Sequence, residues 1–224
     1  MRHFVSYFND AVKKYWELPA VTNFGKETYT YAQMAENIAK YHILFNEAGI
    51  SKGDKVALYA RNSAEWVIAY FATLTYDAVV VPFLPDFIPA AVAELASFSE
   101  CKLLIADDIA INGLKEDEKH FKTLEGTAGF VGVLNIKGMD VVYAADDKLA
   151  NIVENIDKSL SSLYPSGISA TDINYYEEER DLEAVVEISF TSGTTSATSK
   201  GVVLPARSLS ANLEFGYRVI SQCV

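Results

Sequence analysis

The sequence predicts an α/β fold: a doubly wound, mostly parallel sheet with flanking helices. Two observations carry this. Short apolar runs recur at residues 55–60, 78–81 and 102–106, and the segments between them carry helix-start signals and apolar residues at helical spacing. Strand, helix, strand, helix, strand in that order is the pattern of a doubly wound sheet. A third observation is the balance of the chain. Half of its 224 residues are hydrophobic and 22% are charged, which suits a buried core and argues against disorder.

The elements follow in order. Asn23-Phe24-Gly25-Lys26, between Val21 and the Tyr29-Thr30-Tyr31 run, reads as a short hairpin. Thr30 with Gln33 three residues later forms a capping box. Met34, Ile38, Tyr41, Phe45 and Ala48 then share one helical face, and Gly49 is placed to end that helix in the left-handed conformation. Residues 55–60 form a strand. Asn62 and Glu65 are read as caps of a helix over about 63–76 that bears Trp66, Tyr70 and Thr73. The Val-rich run 78–81 suits a parallel strand buried on both faces, ending at Pro82. Pro89 starts a helix that runs to about Ser99, and 102–106 is a strand closed by Asp107-Asp108.

Further on, strands are expected at 128–134 and 140–143. Asp146 caps a helix bearing Leu149, Ile152, Val153, Ile156, Leu160 and Leu163. Residues 164–183 read as a connection, and the run Glu177-Glu178-Glu179-Arg180 within it as a solvated surface. The domain reading is an N-terminal α/β subdomain over 1–183, with 184–224 the start of a second subdomain.

Charge narrows the partners. The net charge of −11 repels nucleic-acid backbones and anionic membrane surfaces. An anionic ligand must therefore be held by a local cluster of donors. The two cysteines, Cys101 and Cys223, are far apart and show no metal or disulfide spacing, so a reducing cytoplasm is the simpler compartment. The three histidines are isolated, and no apolar run is long enough to cross a bilayer.

The segment that carries chemistry follows Val186, Ile188 and Phe190, which alternate with Glu187 and Ser189 as in a strand. It reads Thr191-Ser192-Gly193-Thr194-Thr195-Ser196-Ala197-Thr198-Ser199-Lys200-Gly201, and a second apolar strand, 202–204, comes next. Seven hydroxyl side chains, a glycine and a lysine between two strands form the donor set of a polyphosphate grip. Hydroxyls and backbone N–H groups bond phosphate oxygens, the glycine admits tight turns, and the lysine supplies a point charge. A Ser/Thr-rich surface turn is the plainer alternative. The loop is not a Walker A motif, because Lys200 precedes Gly201 and Thr198 stands where the second glycine would be. Gly49-Ile50-Ser51-Lys52-Gly53 fits the spacing of a nucleophile elbow. A helix precedes it and a strand follows, the reverse of what that elbow needs.

The stretch FTSGTTSATSKGVVL resembles the signature loop of the adenylate-forming superfamily: acyl-CoA synthetases, peptide-synthetase adenylation domains and luciferases. Thr30-Tyr31, Lys52-Gly53-Asp54-Lys55-Val56-Ala57, Arg61-Asn62-Ser63-Ala64-Glu65-Trp66 and Val81-Pro82 also look like that family's N-terminal region, in order. Bacterial long-chain fatty acid–CoA ligases are the nearest likeness. There are departures. Ser196 replaces the usual loop glycine, Ser199 stands where proline is common, and the segment between Thr195 and Lys200 is one residue longer. Pro205-Ala206-Arg207 takes the place of the histidine often found soon after the loop.

The resemblance implies a fold and a reaction. A carboxylate attacks the ATP α-phosphate to give an acyl-adenylate, and a thiol, usually of CoA, then displaces AMP. The carboxylate is expected to be a fatty acid. The loop would hold the β- and γ-phosphates: Thr191, Ser192, Thr194 and Thr195 as donors, Gly193 at the turn, Lys200 as the neutralising charge, with Gly201 completing the motif. The acidic magnesium ligand, the adenine contacts, the hinge and the catalytic lysine are expected beyond Val224. The 224-residue chain alone is therefore expected to be inactive, with no catalytic or metal-binding residue of its own, and to form a homo-oligomer through its C-terminal segment. The alternative is a non-catalytic nucleotide-binding or interaction module derived from the family.

Overall fold

The computed structural model describes residues 1–176, 180–191 and 200–221. Helix α1 (Phe4–Lys14) leads into a two-stranded antiparallel hairpin, β1 (Pro19–Thr22) and β2 (Thr28–Thr30). Helix α2 (Tyr31–Ala48) starts on the expected capping box. The Gln33 amide donates to Thr30 Oγ1 at 3.2 Å, and the Thr30 amide donates to Gln33 Oε1 at 2.9 Å. It ends on Gly49 at φ 84°, a left-handed cap that an L side chain would strain.

The alternation then runs β3 (Lys55–Tyr59), α3 (Ala64–Thr75), β4 (Val79–Phe83), α4 (Pro89–Phe98) and β5 (Cys101–Ala106). Two helices follow that the sequence reading did not include, α5 (Asp108–Lys115) and α6 (Lys119–Glu125). Next come β6 (Gly132–Asn135), β7 (Val141–Ala144), α7 (Asp147–Glu154) and α8 (Ile156–Leu163). The chain closes with β8 (Val185–Thr191), β9 (Lys200–Pro205) and α9 (Ala206–Ser221).

Seven strands form one sheet in the order β7-β6-β5-β3-β4-β8-β9. The five inner strands are parallel, and an antiparallel strand closes each edge. Alternation along β3 divides the core. Val56 and Leu58 pack beneath α1, α2, α3 and α7, while Ala57 and Tyr59 pack beneath α4 and α5. Strands β8 and β9, expected as the start of a second subdomain, pair into this same sheet beside β4.

Several details differ from the sequence reading. Ser63, not Asn62 or Glu65, caps α3, its hydroxyl accepting the Trp66 amide at 3.1 Å. Strand β4 runs through Pro82 to Phe83. Its backbone pairing with β8 is confined to Val80↔Glu187, and Pro82, which has no N–H to give, lies past that point. The strand expected from 128 begins only at Gly132, because Gly129 at φ 73° and Gly132 at φ 155° turn the chain first. Asn155 divides the helix expected after Asp146 into α7 and α8.

Of the run 177–180, residues 177–179 lie outside the described residues. Arg180 departs from the solvated-surface reading, since its guanidinium is nearly buried. It pairs with Asp77 at 2.5 Å and donates to the carbonyls of Leu74 (3.2 Å) and Thr75 (2.8 Å), closing the C-terminal end of α3.

Candidate phosphate-binding hairpin

Open parallel sheets bind ligands outside the C-terminal ends of their strands, by preference where the connections diverge. Here that divergence falls between β3, whose connection runs to β4 on one side, and β5, whose connection runs to β6 on the other. The chain fills this place itself. Asp107, just past β5, accepts the Arg61 amide and Nε, both at 3.1 Å, and the Ala110 amide at 2.9 Å. Burial works against its charge, but the two amides and the Arg61 guanidinium outweigh it and hold the carboxyl below its ordinary range. The cavity left there is about 150 Å³.

The strands that flank the Ser/Thr-rich segment open at the same end of the sheet, two strands away. Strand β8 leaves the sheet at Thr191, and β9 returns from Lys200, directly opposite Thr191 in the antiparallel register. Opposed residues in such a pair share a face, so Thr191, Lys200, Ser189 and Glu187 lie on the face that looks toward α3. Thr191 and Lys200 are both exposed at the mouth. Ser192, Gly193, Thr194 and Thr195 lie outside the described residues, as does the expected loop from 192 to 199.

Gly201 is opposite Phe190 in the register. A Cβ there would come within 3.1 Å of the Phe190 ring, which stacks on Phe83. A side chain at the glycine next to the lysine would thus press on the Phe190 ring on the far face of β9, a contact the sequence pattern did not reveal.

Two residues outside the motif join the site from a distance. Tyr70 on α3 donates to Glu187 at 2.7 Å, and Trp66 stacks on Tyr70 with centroids 5.0 Å apart. Among the described residues no group of three or more His, Cys, Asp or Glu side chains could hold a metal ion. The Cys101 thiol is buried, and burial pushes it up to about 12, which removes it as a nucleophile at neutral pH. No helix among the described residues is long and apolar enough to cross a membrane.

The fold defines the class as a doubly wound α/β protein whose last two strands open at Thr191 and Lys200 at the C-terminal end of the sheet. The model of the AMP-binding enzyme family matches residues 8–222, and the chain belongs to that family. It is 27% identical over 220 residues to a long-chain-fatty-acid–CoA ligase of Escherichia coli O157:H7, which covers 94% of this chain and 38% of that protein. It is 28% identical over 197 residues to a crotonobetaine/carnitine–CoA ligase of Escherichia coli O139:H28, covering 87% of this chain and 33% of the relative. The N-terminal domain of FACL13 from Mycobacterium tuberculosis shares the fold with a TM-score of 0.64 at 22% identity, over 94% of this chain and 46% of that one. The chain thus spans little more than a third of the length of the curated relatives it matches.

Proposed function

We propose that this chain is the ATP-phosphate-binding part of an acid–thiol ligase that activates a carboxylic acid, a fatty acid by preference, as its acyl-adenylate and passes it to CoA. Membership of the AMP-binding family and the two CoA-ligase relatives support the reaction class. The observation that carries it is the register of the hairpin, with Lys200 facing Thr191 across the open end where the hydroxyl-rich segment departs.

The donor set fits a polyphosphate. Thr191, Ser192, Thr194 and Thr195 would donate to the β- and γ-oxygens, Gly193 and Gly201 would let the backbone approach, and Lys200 would neutralise the charge of the departing pyrophosphate. These residues position and stabilise; none makes or breaks a bond. Magnesium would be held by acidic residues outside this chain, and CoA would enter as co-substrate. Residues 184–224 would begin a second subdomain of the longer polypeptide, hung from the first through β4. The reading places the protein in the cytoplasm.

ATP–pyrophosphate exchange by the complete gene product, across a panel of carboxylic acids, tests this. Exchange stimulated by a fatty acid is the expected result. Binding of ATP with no exchange under any acid would favour the non-catalytic module, toward which Ser196 and Ser199 in place of the family's glycine and proline point.

A further inference from the structure

Strand β8 is held to the sheet by the packing of Val186, Ile188 and Phe190 and by little backbone pairing. Its backbone bridge to β4 is confined to Val80↔Glu187. The side chain of the same Glu187 turns toward α3, where its carboxylate accepts the Tyr70 hydroxyl at 2.7 Å and the Ser189 hydroxyl at 2.5 Å. Tyr70 is itself held in place, stacked on Trp66 and met edge-on by Phe71 at 5.8 Å. On the opposite face of β8, Phe190 stacks on Phe83, a contact that supplies packing but little direction.

Hydrogen bonds to a carboxylate are short, directional and about twice as strong as neutral ones. Two of them converge at the residue where the strand joins the sheet. Thr191 lies four residues further along the same face, about 13 Å at strand spacing. A turn or slip of β8 at Glu187 is therefore passed straight to Thr191 and to Lys200 opposite it.

We propose that Tyr70, Glu187 and Ser189 form a positioning cluster for the phosphate segment. It fixes the height and twist of β8, so that Thr191 and Lys200 meet the ATP phosphates together. These three residues touch no substrate; they act through the strand. The inference rests on the ATP reading of the hairpin.

Amide hydrogen exchange on this chain tests the hold directly. In Tyr70→Phe and Glu187→Ala, exchange across 185–191 and 201–204 should rise about tenfold or more, while amides of β3, β5 and α4 stay as in the parent. Glu187→Gln keeps an acceptor oxygen for one of the two hydroxyls and should place exchange between that of the parent and that of Glu187→Ala. In the complete gene product, Tyr70→Phe and Glu187→Ala should each raise KM for ATP about fivefold or more, with KM for the carboxylic acid unchanged and a smaller rise in Glu187→Gln than in Glu187→Ala. Unchanged exchange in both Tyr70→Phe and Glu187→Ala overturns the cluster's hold on β8. A rise spread evenly over the sheet, or an unaltered KM for ATP, reduces it to ordinary packing and overturns the positioning role. Failure of the parent gene product to bind ATP overturns the ATP reading instead, while the hydrogen-exchange result still decides whether the cluster holds the strand.

Discussion

Phe190 stacks on Phe83, with ring centroids 5.7 Å apart and planes 8° from parallel, and the edge of the Phe190 ring lies 3.1 Å from where a Cβ on Gly201 would stand. Gly201→Ala should force the ring aside and cost about 1–3 kcal/mol, the usual penalty of overpacking. Urea denaturation would measure it. Phe190→Leu in the same chain should recover part of the loss; strict additivity of the two changes would show that the ring is not the obstacle.

Lys200 is exposed beside Thr191 and makes no ion pair among the described residues. Lys200→Ala should leave circular dichroism and the denaturation midpoint unchanged. In the complete gene product it should lower kcat/KM for ATP by roughly 10- to 150-fold, as expected for a bond to a charged group. Turnover equal to the parent's would remove Lys200 from the phosphate site.

His42 lies between α2 and the end of α3, its Nε2–H shared between the Ala72 carbonyl at 3.1 Å and Thr75 Oγ1 at 3.0 Å. Burial pulls its pKa from 6.5 down to about 4. The Ala72 carbonyl opposes that shift, the Arg180 charge adds to it, and Asp77 opposes it again. The folded pKa lies below the unfolded one, so the unfolded chain binds the proton more readily. Stability from this group is complete above about pH 6.5 and is lost as the pH falls toward 4, by about 3 kcal/mol in all. Denaturation series at pH 7 and pH 4.5 should show this loss in the parent and a smaller one in His42→Gln. An equal loss in both would assign the acid sensitivity to other groups.

Helix α9 carries apolar side chains in the open. Leu209 packs on the core, but Leu213, Tyr217 and Ile220 further along the same stripe are exposed, as is Phe215 on another side of the helix, and β9 presents Val202 and Val203 at the sheet edge. Exposed apolar patches next to a bare strand edge promote association. This chain on its own should self-associate at micromolar concentration. Light scattering should show a smaller species when Phe215 and Ile220 are changed to Ser, and a monomeric parent would refute the idea.

Much of this architecture was legible because local and global preferences agree. The Val-rich run of β4 is buried as expected, and Thr30 and Gln33 make both bonds of the capping box. Helix α5 was missed because Asp107-Asp108 read as a turn. Its signal was present, since Ala110, Ile111 and Leu114 follow at helical spacing and Asp107 accepts the Ala110 amide. Helix α1, where Phe4, Val5, Phe8 and Val12 recur at helical spacing, was not among the elements read, and the polar residues Asn9, Asp10, Lys13 and Lys14 fall among and after them. Most of these face outward, while Asn9 is buried and accepts the Tyr175 amide at 3.0 Å. The run from Thr191 to Lys200 drew attention by its composition, and residues 192–199 of it lie outside the described residues. The contact between Tyr70 and Glu187 spans 117 positions, and only the folded sheet brings the two together.

The carboxylate of Asp107 sits where a sheet of this topology would ordinarily receive its ligand. With that berth filled by the chain's own carboxylate and a cavity of only about 150 Å³ left beside it, the switch point has no room for a ligand of nucleotide size, and such a ligand would have to be met elsewhere along the C-terminal rim of the sheet.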